Sequence, residues 1–214
     1  MMSVDVIFFD LDGTLVDARS DIVRAANRTL RALGRKERSF EEIVSYIGTG
    51  VSDLIAKSLN TKDTSVIKKG VEIYSGYILE HPADEARLYP HVKETLEFFK
   101  DKRKFILTNR YAKFADAVLK ALGIYGYFEG TIGGDDEDCI KPSACLMDSI
   151  LPKIGVDRKR ALIVGDMTID IETGKNSGIK TCWVTYGLGK REDVEPLKPD
   201  FIIDDLSELK NIVE

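Results

Sequence analysis

Short apolar runs and longer amphipathic stretches alternate along much of the chain. The first run, Val4 to Phe9, is continuous, which indicates a buried strand. From Tyr89 onward each short apolar run is followed by a stretch with helical periodicity. These later runs are Phe105 to Leu107, Thr131 to Ile132, Ala161 to Val164, Thr181 to Thr185 and Phe201 to Ile203. The alternation predicts an α/β fold with a Rossmann-like parallel sheet and right-handed crossovers.

A block of helical periodicity separates the first run from the others. It extends from Asp21 to about Glu80, and no strand-like run interrupts it. Helices are predicted from Ile22 to Leu33 and around residues 43–47, 54–59 and 66–79. We therefore expect a helical insertion, residues 16–84, after the first strand of a core made of residues 1–15 and 85–214. The joints are predicted near residues 15–20 and 81–88.

Length and charge narrow the classes of function. The 214 residues, 43% of them apolar and 31% charged, are enough for one sizeable core and a smaller accessory domain. The net formal charge of −5 offers no basic surface to nucleic acid or to an anionic membrane. No stretch approaches 18 apolar residues, and the N-terminus does not resemble a signal segment. We expect a cytoplasmic protein, and the oligomeric state stays open.

The cysteines do not suggest a metal site or a disulfide framework. Cys139, Cys145 and Cys182 are odd in number, and their spacing to His81 and His91 does not fit a zinc site. The expectation is therefore three reduced thiols.

Two carboxylates follow the first predicted strand directly. Asp10 and Asp12 stand in alternate positions and are followed by Gly13 and Thr14. The carboxyl edge of an open α/β sheet is where such folds bind their ligands. Unpaired acids at that edge are costly unless a cation or a reaction requires them. This junction predicts a reaction centre.

Polar groups also follow two later strands. Thr108, Asn109 and Arg110 come after the second run and precede a helix, which favours binding of a phosphate. Asp166 and Asp170 come after the run that ends at residue 164, one helical turn apart. Between these two groups in sequence, after Arg110 and before Asp166, Lys141 precedes Pro142 and Ser143 at a predicted helix start. Each group alone is common in turns and caps, but their combination at one rim is not.

Together these residues resemble the four-motif signature of the haloacid dehalogenase-like phosphatase superfamily. The matching segments are Asp10-x-Asp12-Gly13-Thr14, Thr108-Asn109, Lys141-Pro142 and Gly165-Asp166-x-x-x-Asp170. The helical insertion is similar to the small α-helical cap of that family. The segment from Tyr46 to Gly50 is similar to the cap loop of its phosphoglycolate phosphatase branch.

The resemblance implies a Mg²⁺-dependent phosphatase that hydrolyses a small phosphate monoester, with phosphoglycolate as the best guess. Asp10 would be the nucleophile that forms an aspartyl phosphate, which splits hydrolysis into two easier steps. Asp12 would act as general acid and then as general base. Mg²⁺ would be held by the Asp10 carboxylate, the Asp12 backbone carbonyl and Asp166.

The remaining predicted site residues surround this centre. Thr108 and Lys141 would hold the phosphoryl oxygens, with Asn109 supporting them and Asp170 positioning Lys141 or a metal-bound water. The substrate's leaving group would meet the cap loop and a cation near the first joint. These residues are Gly48, Thr49, Gly50 and Arg19. The expected partner is a small phosphorylated metabolite.

Several other activities of the superfamily remain open. The presence of Asp12 disfavours the dehalogenase and phosphonate-cleaving branches of the family. Those branches lack this second aspartate because they need no residue to protonate an alkoxide. A sugar phosphomutase uses the same aspartates and differs mainly in keeping water out. A pyrophosphatase or nucleotidase also fits the core motifs, which recognise only the phosphate. A non-catalytic binding protein is disfavoured because the set of acids is intact.

Overall fold

Eight strands form two sheets in the computed structural model, which describes residues 1–214. The strands are β1 (Val6–Phe9), β2 (Val16–Asp17), β3 (Arg87–Leu88), β4 (Arg103–Leu107), β5 (Gly130–Ile132), β6 (Ala161–Gly165), β7 (Lys180–Val184) and β8 (Phe201–Ile203). Six of them form a parallel sheet in the order β5-β4-β1-β6-β7-β8, and β2 pairs with β3 in a separate antiparallel ribbon. The predicted Rossmann-like α/β core is confirmed.

Nine α-helices connect these strands. They are α1 (Arg19–Ala32), α2 (Phe40–Val44), α3 (Val51–Leu59), α4 (Thr64–Glu80), α5 (Val92–Phe98), α6 (Ala112–Ala121), α7 (Cys145–Ile154), α8 (Thr168–Ser177) and α9 (Arg191–Val194). The first four follow one another between β2 and β3 without an intervening strand. We call α1 to α4 the helical cap. The assignment of residues 16–84 to a separate domain stays a prediction.

All four cap helices begin two or three residues before the stretches predicted from periodicity, and side-chain caps account for two of them. The Ser39 side chain accepts the Glu42 N–H in a capping box at the start of α2. The Asp63 carboxylate accepts the N–H groups of Ser65 and Val66 at the start of α4. Capping side chains satisfy the first N–H groups of a helix, so these two helices start directly after a polar capping residue, ahead of the stretch with the apolar period.

Strand β1 lies at the centre of the parallel sheet, between β4 and β6. Val6 and Phe8 point into a cluster with Leu151 of α7, whereas Ile7 and Phe9 belong to the cluster on the other face. That second cluster continues without a break into the helical cap. Because the strand order runs outward in both directions from β1, the carboxyl end of β1 is where a sheet of this type binds its ligand.

The two joints of the cap pair with each other. In the β2–β3 ribbon, Val16 is opposite Leu88 and Asp17 is opposite Arg87. The sequence predicted the positions of both joints but not this pairing, since two-residue strands are too short to show a period. The cap is therefore attached to the core through a hydrogen-bonded ribbon.

A buried carboxylate holds the ribbon to the first cap helix. Asp21, in the first turn of α1, is only 3% exposed. It accepts the Glu85 N–H at 3.2 and 3.1 Å and the Ala86 N–H at 2.8 Å. A carboxylate that accepts backbone N–H groups in a buried place makes strong hydrogen bonds and leaves those groups unsatisfied when it is removed.

The expectation of three reduced thiols is wrong for two of them. Cys139 and Cys145 form a disulfide with a Cα–Cα distance of 5.8 Å, and Cys182 is a buried free thiol. The number of cysteines and their spacing to histidine say nothing about the path of the intervening chain. That chain turns sharply before α7 and brings the two cysteines together.

No helix combines the length and the apolar character needed to cross a membrane.

Replacing Asp21 by Ala should lower the free energy of unfolding by about 2–3 kcal/mol, because one buried and one partly buried N–H group lose their acceptor. Chemical denaturation with urea measures the change. The matched control is Asp53→Ala on the cap surface. Asp53 is 44% exposed and pairs only with Lys57, so its loss should cost less than about 1 kcal/mol. Equal losses for the two variants would contradict a special role of Asp21.

Candidate active site

The carboxyl ends of three adjacent strands supply the polar groups of the site. Asp10 follows β1, Thr108 follows β4 and Asp166 follows β6. The three residues are 5%, 3% and 0% exposed, respectively. The parallel sheet thus brings together residues that are far apart in sequence, as the sequence predicted.

A buried lysine joins two of the carboxylates. Lys141 reaches the site from the loop before α7, and its Nζ lies 2.6 Å from Asp10 Oδ1 and 2.6 Å from Asp170 Oδ1. Burial alone would lower the pKa of Lys141, but the charges of Asp10 and Asp170 outweigh it, and the pKa is raised. Lys141 therefore stays positively charged. Asp170 lies where the sequence predicted it, as a partner of this lysine.

Asn109 fixes the backbone of the lysine loop. Its Oδ1 accepts the Lys141 N–H at 2.8 Å, and its Nδ2 donates to the Lys141 carbonyl at 2.9 Å. The same Nδ2 donates to the Gly48 carbonyl in the cap, also at 2.9 Å. Both amide hydrogens are thus used by backbone oxygens. The predicted support of the phosphate cradle takes the form of positioning Lys141, with no amide hydrogen left for a substrate.

Asp166 is held by neutral donors on both carboxylate oxygens. Thr14 Oγ1 donates to Oδ1 at 3.0 Å, and the Leu188 N–H donates to Oδ2 at 2.6 Å. Trp183, predicted as a core residue, is buried, and its indole N–H also donates to the Asp166 carbonyl at 2.9 Å. Burial, together with the charge of Asp170, raises the pKa of Asp166 to about 7. The carboxylate is held in position but lacks a full counter-charge.

Three acids in this cluster have a geometry that suits a metal ion. Oxygen atoms of Asp10, Asp166 and Asp170 all lie within 4.8 Å of one another. Burial, as the largest cause, also raises the pKa of Asp10 well above its usual range, although Lys141 opposes the shift. No group of the protein donates a hydrogen bond to the Asp12 carbonyl oxygen. These possible ligands are all oxygen atoms, and burial disfavours the ionised forms of two of the carboxylates, Asp10 and Asp166. Such a group of oxygen ligands fits Mg²⁺.

The side chain of Asp12 is not part of this cluster and pairs with Arg110. The guanidinium forms a two-pronged contact, with Nε 2.9 Å from Asp12 Oδ2 and Nη2 2.7 Å from Asp12 Oδ1. Both side chains are largely buried, with 7% of Arg110 and 13% of Asp12 exposed. The sequence placed Arg110 at a strand end but assigned it no partner. The backbone of Asp12 and its side chain therefore serve two different parts of the site.

The helical cap closes a cavity over these residues. Two predicted cap-loop residues, Gly48 and Gly50, line it, along with Leu54 and Tyr74 from α3 and α4. The φ angles of the two glycines are +98° and +102°, values that other residues rarely adopt. Glycine is thus required for this loop to approach the strand ends.

Two predicted substrate contacts do not reach the cavity. Arg19 forms a two-pronged ion pair with Asp17, at 2.8 and 2.6 Å, and its side chain is 42% exposed. Thr49 turns back to donate to the Tyr46 carbonyl at 3.0 Å, and only its two glycine neighbours line the cavity. Closeness in sequence to a joint or to a loop does not determine the direction of a side chain, which explains both differences.

The sequence named Thr14 and Arg110 at strand ends without giving them partners, and it missed Tyr74 altogether. Thr14 donates to Asp166, Arg110 pairs with Asp12, and Tyr74 lines the cavity from the cap. The positions of Thr14 and Arg110 at strand ends were a usable signal. Tyr74 lies in an ordinary amphipathic helix, where nothing in the pattern distinguishes a cavity residue from a core residue.

Several known proteins are similar to this chain in sequence and in fold. The family model described as haloacid dehalogenase-like hydrolase matches residues 7–184. A phosphoglycolate phosphatase of Aquifex aeolicus is 35% identical, with 98% of this chain and 96% of that protein covered. One of Vibrio parahaemolyticus is 34% identical over the same shares. The crystal structure of a predicted phosphoglycolate phosphatase from Haemophilus somnus has a TM-score of 0.91, with 29% identity and 99% of both chains covered.

The fold and the acids of the site define a hydrolase of the α/β class with a helical cap. The chain belongs to the haloacid dehalogenase-like hydrolase family. The resemblance seen in the sequence motifs is confirmed.

Added Mg²⁺ should raise the unfolding temperature, and by more at about pH 8 than at about pH 5.5. The folded-state pKa of Asp166, about 7, lies above its ordinary value of 3.8. Without metal, the stability from this group is present at low pH and is lost as the pH rises through about 7. Mg²⁺ binds the ionised form, so its stabilising effect grows over the same range. Thermal unfolding with and without Mg²⁺ measures it.

Two variants test the role of Asp166: one replaces this buried acid, and the control replaces an exposed one. Asp166→Asn should remove most of the Mg²⁺-induced increase, whereas Asp148→Asn should keep it, because Asp148 is 57% exposed and pairs with Arg158. An increase of the same size at both pH values would show that Asp166 does not control metal binding.

Proposed function

We propose that the protein is a Mg²⁺-dependent phosphatase that hydrolyses a small phosphate monoester, phosphoglycolate being the first candidate. The observation that carries this proposal is the buried pair of Lys141 and Asp10 at the end of β1, beside two further acids. A carboxylate next to a fixed cation, at the bottom of a cavity, suits nucleophilic attack on a phosphorus atom that bears negative oxygens.

In the first step an Asp10 oxygen attacks phosphorus, and the bond from phosphorus to the ester oxygen breaks. Lys141 neutralises negative charge on the transferred group, and Thr108 offers a hydroxyl at the end of the neighbouring strand. Bound Mg²⁺ would neutralise phosphoryl charge while held by Asp10, Asp166 and the Asp12 carbonyl. Asp170, which contacts Lys141 at 2.6 Å, keeps the lysine at its place.

Asp12 is assigned the proton transfers. It would give a proton to the departing oxygen and later remove one from the water that hydrolyses the aspartyl phosphate. It follows Asp10 by two residues just beyond the end of β1, and both residues line the same cavity. Arg110 fixes the direction of its carboxylate through the two-pronged contact.

The choice of substrate rests on the relatives and on the size of the site. Two relatives that match nearly the whole chain are phosphoglycolate phosphatases. The cavity is closed by the glycine loop and by the side chains of Leu54 and Tyr74, which leaves space only for a small leaving group. The expected partner is therefore a small phosphorylated metabolite. The cytoplasmic location stays a prediction.

Phosphate release from a panel of small phosphate esters, with and without Mg²⁺, tests the proposal. We expect hydrolysis of phosphoglycolate that falls by orders of magnitude in excess chelator. Asp10→Asn should abolish turnover and the phosphorylated enzyme. Asp12→Asn should slow turnover by about 10²- to 10⁴-fold while an aryl phosphate, whose leaving group needs no proton, still phosphorylates Asp10.

The control is Asp84→Asn, an exposed acid that contacts His81 and Arg24 on the cap surface and should leave turnover unchanged. Activity that persists in chelator, or a phosphorylated residue other than Asp10 in mass spectrometry, would contradict the assignment.

A further inference from the structure

The cap side of the cavity wall carries no charged side chain. The cap contributes backbone and apolar groups, together with one phenol. These residues are Ile22, Ile47, Gly48, Gly50, Val51, Leu54 and Tyr74. From the core, the wall includes two cations, Lys141 and Arg110. Because Lys141 is assigned to the phosphoryl group, Arg110, which is also paired with Asp12, is the cation left for a second negative group.

Arg110 keeps hydrogen-bonding capacity in spite of its ion pair. Asp12 uses Nε and one hydrogen of Nη2, and no protein acceptor lies within hydrogen-bond distance of Nη1. A guanidinium has five N–H donors in a fixed plane, so three of them remain. The side chain is 7% exposed and lines the cavity, so a ligand bound there can approach the guanidinium.

The hydroxyl of Tyr74 is a second unused polar group on the same wall. Tyr74 is only 4% exposed, its ring packs edge-on against Phe114, and its hydroxyl has no hydrogen-bond partner in the protein. Burial raises the pKa of Tyr74 to about 12, and the charges of Arg110 and Asp12 also act on this phenol. The hydroxyl is thus a protonated donor near the guanidinium. The hydroxyl is not fully enclosed by protein atoms, so a ligand in the cavity can reach it.

We propose that Arg110 of the core and Tyr74 of the cap together form a subsite that binds a carboxylate on the leaving group of the substrate. A planar carboxylate can accept hydrogen bonds from the N–H groups of Arg110 that Asp12 does not use. Its second oxygen can accept a hydrogen bond from the Tyr74 hydroxyl. This inference rests on the proposed function and specifies it. The phosphate goes to Lys141 and the metal site, and the second anion goes to Arg110 and Tyr74.

Such a subsite links recognition to cap closure. Tyr74 belongs to α4 of the cap, whereas Arg110 follows β4 of the core. A carboxylate bound by both would hold the cap against the core only when the correct leaving group is present. A neutral leaving group of the same size would leave one guanidinium face and one hydroxyl unpaired in a buried place, which lowers its affinity.

The experiment compares phosphoglycolate with its amide, which has the same shape but no negative charge on the leaving group. The wild-type protein should hydrolyse the acid with a kcat/KM at least about tenfold above that of the amide. Tyr74→Phe, which removes only the hydroxyl, should reduce this preference about tenfold, mainly through KM for the acid. Arg110→Lys, which keeps the charge but loses the planar donors, should also reduce the acid-to-amide ratio.

Tyr77→Phe is the matched control on the same helix. Tyr77 is 9% exposed, stacks under Arg28 and does not line the cavity, so its variant should keep the wild-type ratio. A purely structural role of Tyr74 would lower kcat/KM for both substrates in proportion and leave the ratio unchanged. That result, or a wild-type ratio near one, would overturn the subsite while the phosphatase function stands.

Binding without turnover separates the two proposals. Calorimetric titration of Asp10→Asn with the acid and with the amide should show the same preference, reduced about tenfold in the Asp10→Asn/Tyr74→Phe double variant. If the wild-type protein releases no phosphate from either compound but this preference is present, the phosphatase proposal fails and the subsite is supported. Equal binding of the two compounds would overturn the subsite.

Discussion

The burial of several carboxylates at one edge of the sheet is the constraint on which the rest of the structure depends. Four acids, Asp10, Asp12, Asp166 and Asp170, meet only two cations there, Lys141 and Arg110. Two negative charges therefore lack compensation, and burial of an uncompensated charge is expensive. The fold tolerates them because bound protons or a divalent cation make up the difference.

The surrounding structure serves to keep these charges separate and oriented. Lys141 lies between Asp10 and Asp170, and neutral donors from Thr14 and Leu188 hold Asp166. Asn109 in turn fixes the lysine backbone and the cap loop through one amide group. Movement of the cap loop would therefore disturb the lysine directly, which couples closure of the cavity to the charge balance of the reaction centre.

The sequence was sufficient for the strands and for the acids that follow them. A parallel sheet brings strand ends together, so a carboxylate after a buried run has a predictable place whatever the rest of the chain does. The directions of side chains on loops and helices were not predictable in this way. Arg19 turns to Asp17, and Tyr74 turns into the cavity, because tertiary packing rather than local pattern decides each case. The Cys139–Cys145 bond was missed for the same reason.

The paired ribbon of β2 and β3 also has a meaning for how proteins of this architecture diversify. Both ends of the cap leave the core side by side, so the roughly 70 intervening residues connect two neighbouring points of the core, as a short loop would. Insertions, deletions or complete replacement of that block need not open the parallel sheet or shift its strand register. Leaving-group preference can therefore change by exchange of one module, while the acids that perform the chemistry are inherited unaltered.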